Sequence, residues 1–312
     1  MANNMTKRDL IYILSPSYSG STLLTMLLAE HQRIATIGEL KATSMGDLKY
    51  YQCSCGLPIL ECDFWKALIV EMSRRGAELD LDDFHTHFAG KEKYISRILL
   101  SQIRAPFFEL LRSIAIQAIP GLRKEYLSIM EKNRQMIDAI CDIEKKTHFL
   151  DGSKDPQRLL YFDRSGNWNI KLIKMYRDGR AQSNSNRRKK SNNMNYISSV
   201  KEWKKTVKQM ERVTDYVSID DVYTLRYEDL CQSPGKYMDE LWDYIGIERI
   251  ERNWSEIDIN KEGNHILGNN MRTKDKLHVA LDEGWRSDVT KSELDLFQKI
   301  AGDINASLGY QS

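Results

Sequence analysis

No stretch of this sequence stays apolar for long. Residues 10–14, LIYIL, are stopped by Ser15 and Pro16, and the run 23–29 is interrupted by Thr25. A membrane-spanning helix needs ~20 apolar residues, and the first run is too short for the apolar region of a signal peptide. The chain is therefore expected to be cytoplasmic, with no transmembrane segment. Charge of one sign is missing as well: 46 basic against 44 acidic side chains leave a net +2. That removes the general electrostatic argument for nucleic acid or an anionic membrane as a partner, so any anion site must be local. Cysteine is sparse and odd in number, five in 312 residues, which fits free thiols in a reducing compartment better than a disulfide framework. No internal repeat is present.

What the sequence has is enough apolar content, 41%, to bury one large core. Segments 10–14, 148–150, 170–176 and 222–226 read as buried strands ending in polar loops. Helical patterns at 23–31, 157–164, 196–216 and 235–245 alternate with them. The alternation predicts a three-layer α/β/α domain on a parallel sheet of four or five strands. Across residues 64–146 the strand signals stop and apolar residues recur at helical spacing, so a helical insert is expected, broken at Pro106, Pro120 and Gly121. The whole chain, 1–312, reads as a single domain carrying that insert. Within the insert, Trp65, Phe107 and Phe108 are read as core. Residues 183–193, SNSNRRKKSNN, read as a solvated polar loop, with a basic lip over an anionic ligand as the alternative.

The first strand runs directly into Ser15-Pro16-Ser17-Tyr18-Ser19-Gly20-Ser21-Thr22 and then an apolar helix. Strand, small-residue turn and helix make an anion cradle, because unpaired N–H groups, the positive end of the helix dipole and hydroxyl groups converge. An ordinary Ser/Thr helix cap is the competing reading. Against the nucleotide pattern G-x-x-x-x-G-K-[ST], the lysine position holds Ser21. A kinase or NTPase should not lack that lysine, and no convincing magnesium-binding carboxylate follows an apolar run. Further on, Arg177-Asp178-Gly179-Arg180 stand at the end of the strand 170–176, with Ser185 eight residues after Arg177. An arginine at a strand end with a hydroxyl on the next helix suits a second phosphate. Two separated phosphate sites imply a bisphosphorylated nucleotide.

In kind and in order these motifs resemble the PAPS-dependent sulfotransferases, which use 3′-phosphoadenosine 5′-phosphosulfate (PAPS) as donor. Gly38-Glu39-Leu40, Asp151-Gly152-Ser153-Lys154, Trp203, the run 225–230 (LRYEDL), the run 268–272 (GNNMR) and Trp285-Arg286 extend the resemblance. It covers roughly residues 10–50 and 147–290 and leaves the insert outside. The resemblance implies a P-loop-like fold and a 5′-phosphosulfate loop at Ser17, Tyr18, Ser19, Gly20, Ser21 and Thr22. It also implies a 3′-phosphate site at Arg177 and Ser185, a closing role for Arg272, and no metal. The family often carries Arg or Lys where this chain has Tyr18, and Ser183 and Ser191 rival Ser185. Tyr18, Trp203 and Tyr227 are left unassigned with respect to adenine.

Sulfuryl transfer needs positioning and electrostatic stabilisation more than covalent help. Glu39, in the Gly38-Glu39-Leu40 run, is the first choice of base for the acceptor hydroxyl, because a carboxylate just beyond a strand would sit at the sheet's carboxyl edge, with a capping or surface glutamate as the bland alternative. Lys154 is expected to steady charge on the leaving oxygen. His31, at the far end of the first helix, is expected to be structural. Cys53, Cys55 and Cys62 form C-x-C-x₆-C, which invites a zinc reading that would need a fourth ligand such as His85 or His87. Free thiols in a turn are preferred, with a disulfide from Cys62 as a third option. His85 and His87 themselves read as decoration of a helix or strand. The expected activity is transfer from PAPS to a hydroxyl or amine of an acceptor the sequence does not identify. The alternatives are a small-molecule kinase or NTPase with a degenerate loop, and a non-catalytic nucleotide-binding module.

Overall fold

The computed structural model describes residues 7–41, 47–90, 92–189, 194–258, 265–267 and 270–311. In chain order its elements are β1 (Arg8–Leu14), α1 (Ser21–Ala29), β2 (Ile34–Ala35), α2 (Asp63–Arg74), α3 (Lys93–Leu99), α4 (Pro106–Ala118) and α5 (Pro120–Glu144). There follow β3 (His148–Asp151), α6 (Pro156–Ser165), β4 (Trp168–Tyr176), α7 (Gly179–Lys189), α8 (Tyr196–Thr214), β5 (Val222–Arg226), α9 (Tyr227–Gln232) and α10 (Pro234–Ile245). The chain continues through β6 (Glu256–Asp258), β7 (Lys276–His278), α11 (Trp285–Asp288) and α12 (Lys291–Ser307). Five strands form one parallel sheet in the order β2-β3-β1-β4-β5. β6 and β7 form a separate antiparallel pair.

The apolar run 10–14 lacks polar alternation because both faces of the sheet are covered. Leu10, Tyr12 and Leu14 point into one core, shared with α5, α6, α8 and α12. Ile11 and Ile13 point into the other, shared with α1, α9 and α10. The result is the three-layer α/β/α arrangement. The topology places the site: β1 has β3 on one side and β4 on the other, so the chain leaves in opposite directions on either side of it. A crevice opens beyond the carboxyl ends of the strands at such a point.

Between α2 and α5 the described residues are helix and loop. Trp65 is buried, but Phe107 and Phe108 are 64% and 49% exposed, contrary to their reading as core. The reason is the phase of α4, which turns Glu109, Arg112 and Ile116 inward and leaves its aromatic residues outside. The polar segment from 183 also departs from expectation, because α7 carries it as helix as far as Lys189. Its polar groups have protein partners: Asn184 donates to Asp288 (3.0 Å), Asn186 to Glu202 (3.1 Å) and Arg187 to Glu293 (2.7 Å). Ser191, Gly268 and Asn269 lie outside the described residues. No helix among the described residues is long and apolar enough to cross a membrane.

Candidate functional site

The loop between β1 and α1 is wound tightly. Tyr18 (φ 65) and Gly20 (φ 87) both sit in the left-handed region, an arrangement that concentrates at functional loops when a non-glycine residue takes part. A Cβ at Gly20 would collide with the Tyr227 ring, so this position requires glycine twice over. Gly20 is the N-cap of α1, and no side chain caps that helix. The ordinary Ser/Thr cap is therefore not what the loop builds. The first N–H groups of α1 stay available and the positive end of its dipole faces the crevice. Ser15 and Ser19 are buried, and neither hydroxyl has a protein partner.

From the other side of β1, the end of β4 and the start of α7 grip this loop. Arg177 donates Nη1 to the Tyr18 carbonyl (3.1 Å), and Gln182 donates Nε2 to the Ser17 carbonyl (2.5 Å). The Arg177 guanidinium lies over the Tyr227 ring, 4.6 Å from its centroid. Its Nη2 reaches the carbonyl and the carboxylate of Asp282, each at 3.1 Å. Burial works against ionisation of Asp282, yet Arg177, the Gly284 N–H and Arg188 together hold its carboxyl below the usual value. Arg177 Nε, Gln182 Oε1 and Ser183 Oγ are buried without a protein partner. Such groups are rare in a finished core and mark where a polar ligand belongs. Ser185 is half-buried on the same helix.

Beyond β2 and β3 the structure brings Glu39 and Lys154 together. Lys154 Nζ bonds to Glu39 Oε1, with the lysine side chain 15% and the glutamate 36% exposed. Both line a cleft with Ser21, Thr22, Ile266 and Leu267, so the loop, whose lysine position holds Ser21, has a cationic side chain beside it from another strand end. Lys154 itself has a left-handed backbone (φ 61). Asp151 fixes that turn, accepting on Oδ1 from the N–H of Ser153 (2.9 Å) and Leu40 (3.3 Å). Its Oδ2 accepts from Arg158 Nε at 2.8 Å. Arg158 also donates to the Thr86 carbonyl (2.8 Å) and to Asn133 (2.5 Å), which ties the helical segment to the strand end. Gly152 N–H donates to the Gly38 carbonyl at 2.8 Å, joining the glutamate and lysine loops.

Other residues named from the sequence have surroundings of their own. Arg272 is buried against the Tyr51 ring (4.8 Å) and donates to the Gln52 carbonyl (2.9 Å). Its contacts thus run to the cysteine-rich loop, although the 3-10 turn that carries it, Asn270–Thr273, packs on α1. Trp203 is core and packs where a Gly179 side chain would be. His31 is fully buried: its Nε2 pairs with the Glu248 carbonyl (2.9 Å) and its Nδ1 accepts the Arg33 N–H (3.1 Å), a structural role. Asp151, Arg158, Gln182 and Asp282 were not singled out from the sequence. For Asp151 the signal was its place in the DGSK run and for Gln182 its place between Arg180 and Ser185; Arg158 and Asp282 lie in segments with no motif.

No protein-family model and no curated protein matches the chain. Among solved structures, the chain is similar to a sulfotransferase domain from the curacin biosynthetic pathway, 17% identical, covering 97% of this chain and 98% of that one, with a TM-score of 0.47. A sulfotransferase domain from the Synechococcus PCC 7002 olefin synthase is 16% identical over 96% of each chain, with a TM-score of 0.44. Retinol dehydratase, in a complex with retinol and PAP, is 15% identical over 94% of this chain and 80% of that one, with a TM-score of 0.40.

Proposed function

We propose that the chain is a sulfotransferase that moves the sulfuryl group of PAPS to a hydroxyl or amine of an acceptor. The observation that carries this reading is the gathering of buried polar atoms without protein partners, Ser15 Oγ, Ser19 Oγ and Arg177 Nε, around an uncapped helix start whose loop lacks the nucleotide lysine. In this reading Ser17, Tyr18, Ser19, Gly20, Ser21 and Thr22 hold the 5′-phosphosulfate end through backbone N–H groups and hydroxyls. Arg177 holds the 3′-phosphate, helped by a hydroxyl of α7, Ser185 or the buried Ser183. Arg272 steadies the C-terminal side of the site from its seat on Tyr51.

The donor, when bound, supplies an activated sulfuryl group with a nucleotide phosphate as leaving group. Its moving group carries less negative charge than a phosphoryl group, so side-chain cations and helix N–H groups suffice and a catalytic metal is not required. Glu39 takes the proton from the acceptor, and Lys154 balances charge beside it. The same Lys154–Glu39 bond holds the carboxylate in place at the cleft. The helical segment 64–146 contributes the acceptor side. A cavity of about 920 Å³ lies between the 83–90 loop and α5, lined by His85, His87, Gly90 and Lys132. His87, in the lining of that cavity, is pushed below its usual pKa first by burial and then by the charge of Lys41, which itself pairs with Asp155 (3.3 Å).

The test is incubation of the purified chain with ³⁵S-labelled PAPS and a fractionated extract of small molecules and glycans. Transfer of label to a discrete acceptor, without added magnesium, is the expected result. Magnesium-dependent transfer or hydrolysis of ATP, with PAPS untouched, would overturn the reading in favour of a kinase or NTPase. Tight binding of 3′,5′-ADP without transfer to any acceptor would leave only a binding module.

A further inference from the structure

Cys53, Cys55 and Cys62 stand apart from the crevice chemistry, and the fold supplies them with a fourth neighbour that is more than 200 residues away in sequence. That neighbour is His265; His85 and His87, the partners considered from sequence, line the cavity beside α5 instead. Cys55 Sγ and Cys62 Sγ are 3.6 Å apart, and Cys62 Sγ and Cys53 Sγ 3.9 Å. His265 Nδ1 is 3.4 Å from Cys53 Sγ and 3.5 Å from Cys62 Sγ. All four donor atoms lie within 4.8 Å of one another.

These separations are those of a tetrahedron around a metal. Bonds of about 2.3 Å to sulfur and about 2.0–2.1 Å to nitrogen, at tetrahedral angles, put S···S at about 3.8 Å and S···N at about 3.6 Å. A disulfide needs sulfurs at about 2.05 Å, and all five cysteines are free. Four thiol and imidazole hydrogen bonds are too weak to draw three sulfurs and a ring nitrogen into one cluster, since S–H is a poor donor. The local backbone is built for it: Cys53 N–H donates to the Leu57 carbonyl (2.9 Å) and Gly56 N–H to the Cys53 carbonyl (3.0 Å). Gly56 turns the chain with φ 93. Cys62 is the N-cap of α2, and its N–H is held by Pro58. The His265 ring is stacked on Phe64, 4.2 Å between centroids and 4° from parallel.

We propose that Cys53, Cys55, Cys62 and His265 bind one zinc ion in a closed structural site. Three soft thiolates and an imidazole select zinc over the hard cations magnesium and calcium. Four protein ligands leave no open position, so the ion clips structure and does not activate water. What it clips is the crevice. Leu267 N–H donates to the Ile37 carbonyl (2.8 Å) and Ile266 N–H to Ser54 Oγ (2.7 Å). Ile266 and Leu267 then wall the cleft that holds Glu39 and Lys154. The zinc thus fastens a C-terminal segment across the first strand crossover, and this assignment stands whatever the protein transfers.

The experiment is elemental analysis of the full chain, produced with zinc in the medium and purified without chelator. About one zinc per folded chain is expected, released in step with modification of the cysteines by a mercurial. After denaturation in chelator, all five cysteines should react with a thiol reagent. Zinc far below stoichiometric in folded protein, another metal in its place, or two missing thiols would each overturn the proposal. Because cysteine variants are at risk of misfolding, His265→Cys and His265→Ala complete the test. The first should keep full zinc and the second should lose it on dialysis, while His85→Ala and His87→Ala keep it. Retention of full zinc by His265→Ala would exclude His265 as a ligand and overturn the site as drawn.

Discussion

The Asp151–Arg158 pair is the place where one charge removed should cost the most. Asp151 is 0% and Arg158 1% exposed. The guanidinium is closed in by Asp151 Oδ2 (2.8 Å), the Thr86 carbonyl (2.8 Å), Asn133 Oδ1 (2.5 Å) and the Phe162 ring, 4.3 Å away. Asp151→Asn is nearly isosteric and keeps an acceptor for the N–H groups of Ser153 and Leu40. It deletes the negative charge and sets an amide N–H₂ where Oδ2 accepted from Arg158 Nε, leaving Arg158 buried and uncompensated. Breaking such a pair from one side costs about 3–5 kcal/mol, a large share of the ~5–15 kcal/mol that keeps a typical domain folded. Guanidinium denaturation followed by tryptophan fluorescence measures it. Asp151→Asn/Arg158→Met should recover part of the loss, because the stranded charge is gone. A cost below ~1 kcal/mol for Asp151→Asn, the range of an exposed pair, would refute the argument that this pair organises the Lys154 turn.

Other outcomes follow from the same geometry. Glu39→Gln and Lys154→Ala break a partly exposed pair, so stability should change by under ~1 kcal/mol while the transfer rate falls about 10²–10⁴-fold. Near wild-type turnover with normal donor binding would remove both from the mechanism. Arg177→Met removes charge-assisted hydrogen bonds worth about 1.5–3 kcal/mol, so calorimetry should show 3′,5′-ADP binding weakened about 10- to 150-fold, with 5′-AMP much less affected. At the start of α6, burial raises the Asp155 carboxyl but Lys41 and the Arg158 N–H more than offset it, leaving the pKa below its usual value. A depressed folded-state pKa contributes stability above the unfolded value of about 3.9 and loses it as pH falls through the lower folded value. Asp155→Asn should therefore flatten the acid limb of a stability-against-pH profile, and an unchanged limb would contradict this.

Legibility in the sequence followed how local each signal was. The run 10–14 announced a strand because a doubly covered strand is continuously apolar, 170–176 and 222–226 did so through apolar and β-branched residues despite the polar side chains of Lys171, Lys174 and Thr224, and Gly20 and Ser21 in one short loop announced the crevice and its missing lysine. Glu39 and Lys154 were each named from their own motif. That they bond to each other depends on β2 and β3 being neighbours, which β2, only two residues long, hardly signals. Polar composition misled at α7, where Asn184, Asn186 and Arg187 find protein partners on α11, α8 and α12. Phe107 and Phe108 misled in the opposite sense, since helical spacing does not say which face turns inward. His265 was out of reach, because no pattern connects a lone histidine to cysteines 203 to 212 residues away.

The central claim is that the loop after β1 and the arginine after β4 form paired sites for the two ends of an adenosine bisphosphate. Isothermal titration of the full chain with 3′,5′-ADP, beside 5′-AMP and ATP with magnesium, tests it most directly. The account predicts that 3′,5′-ADP binds tightest, with 5′-AMP weaker by the loss of its contact to Arg177. Binding of ATP with magnesium and no heat from 3′,5′-ADP, on protein shown to be folded, would contradict it.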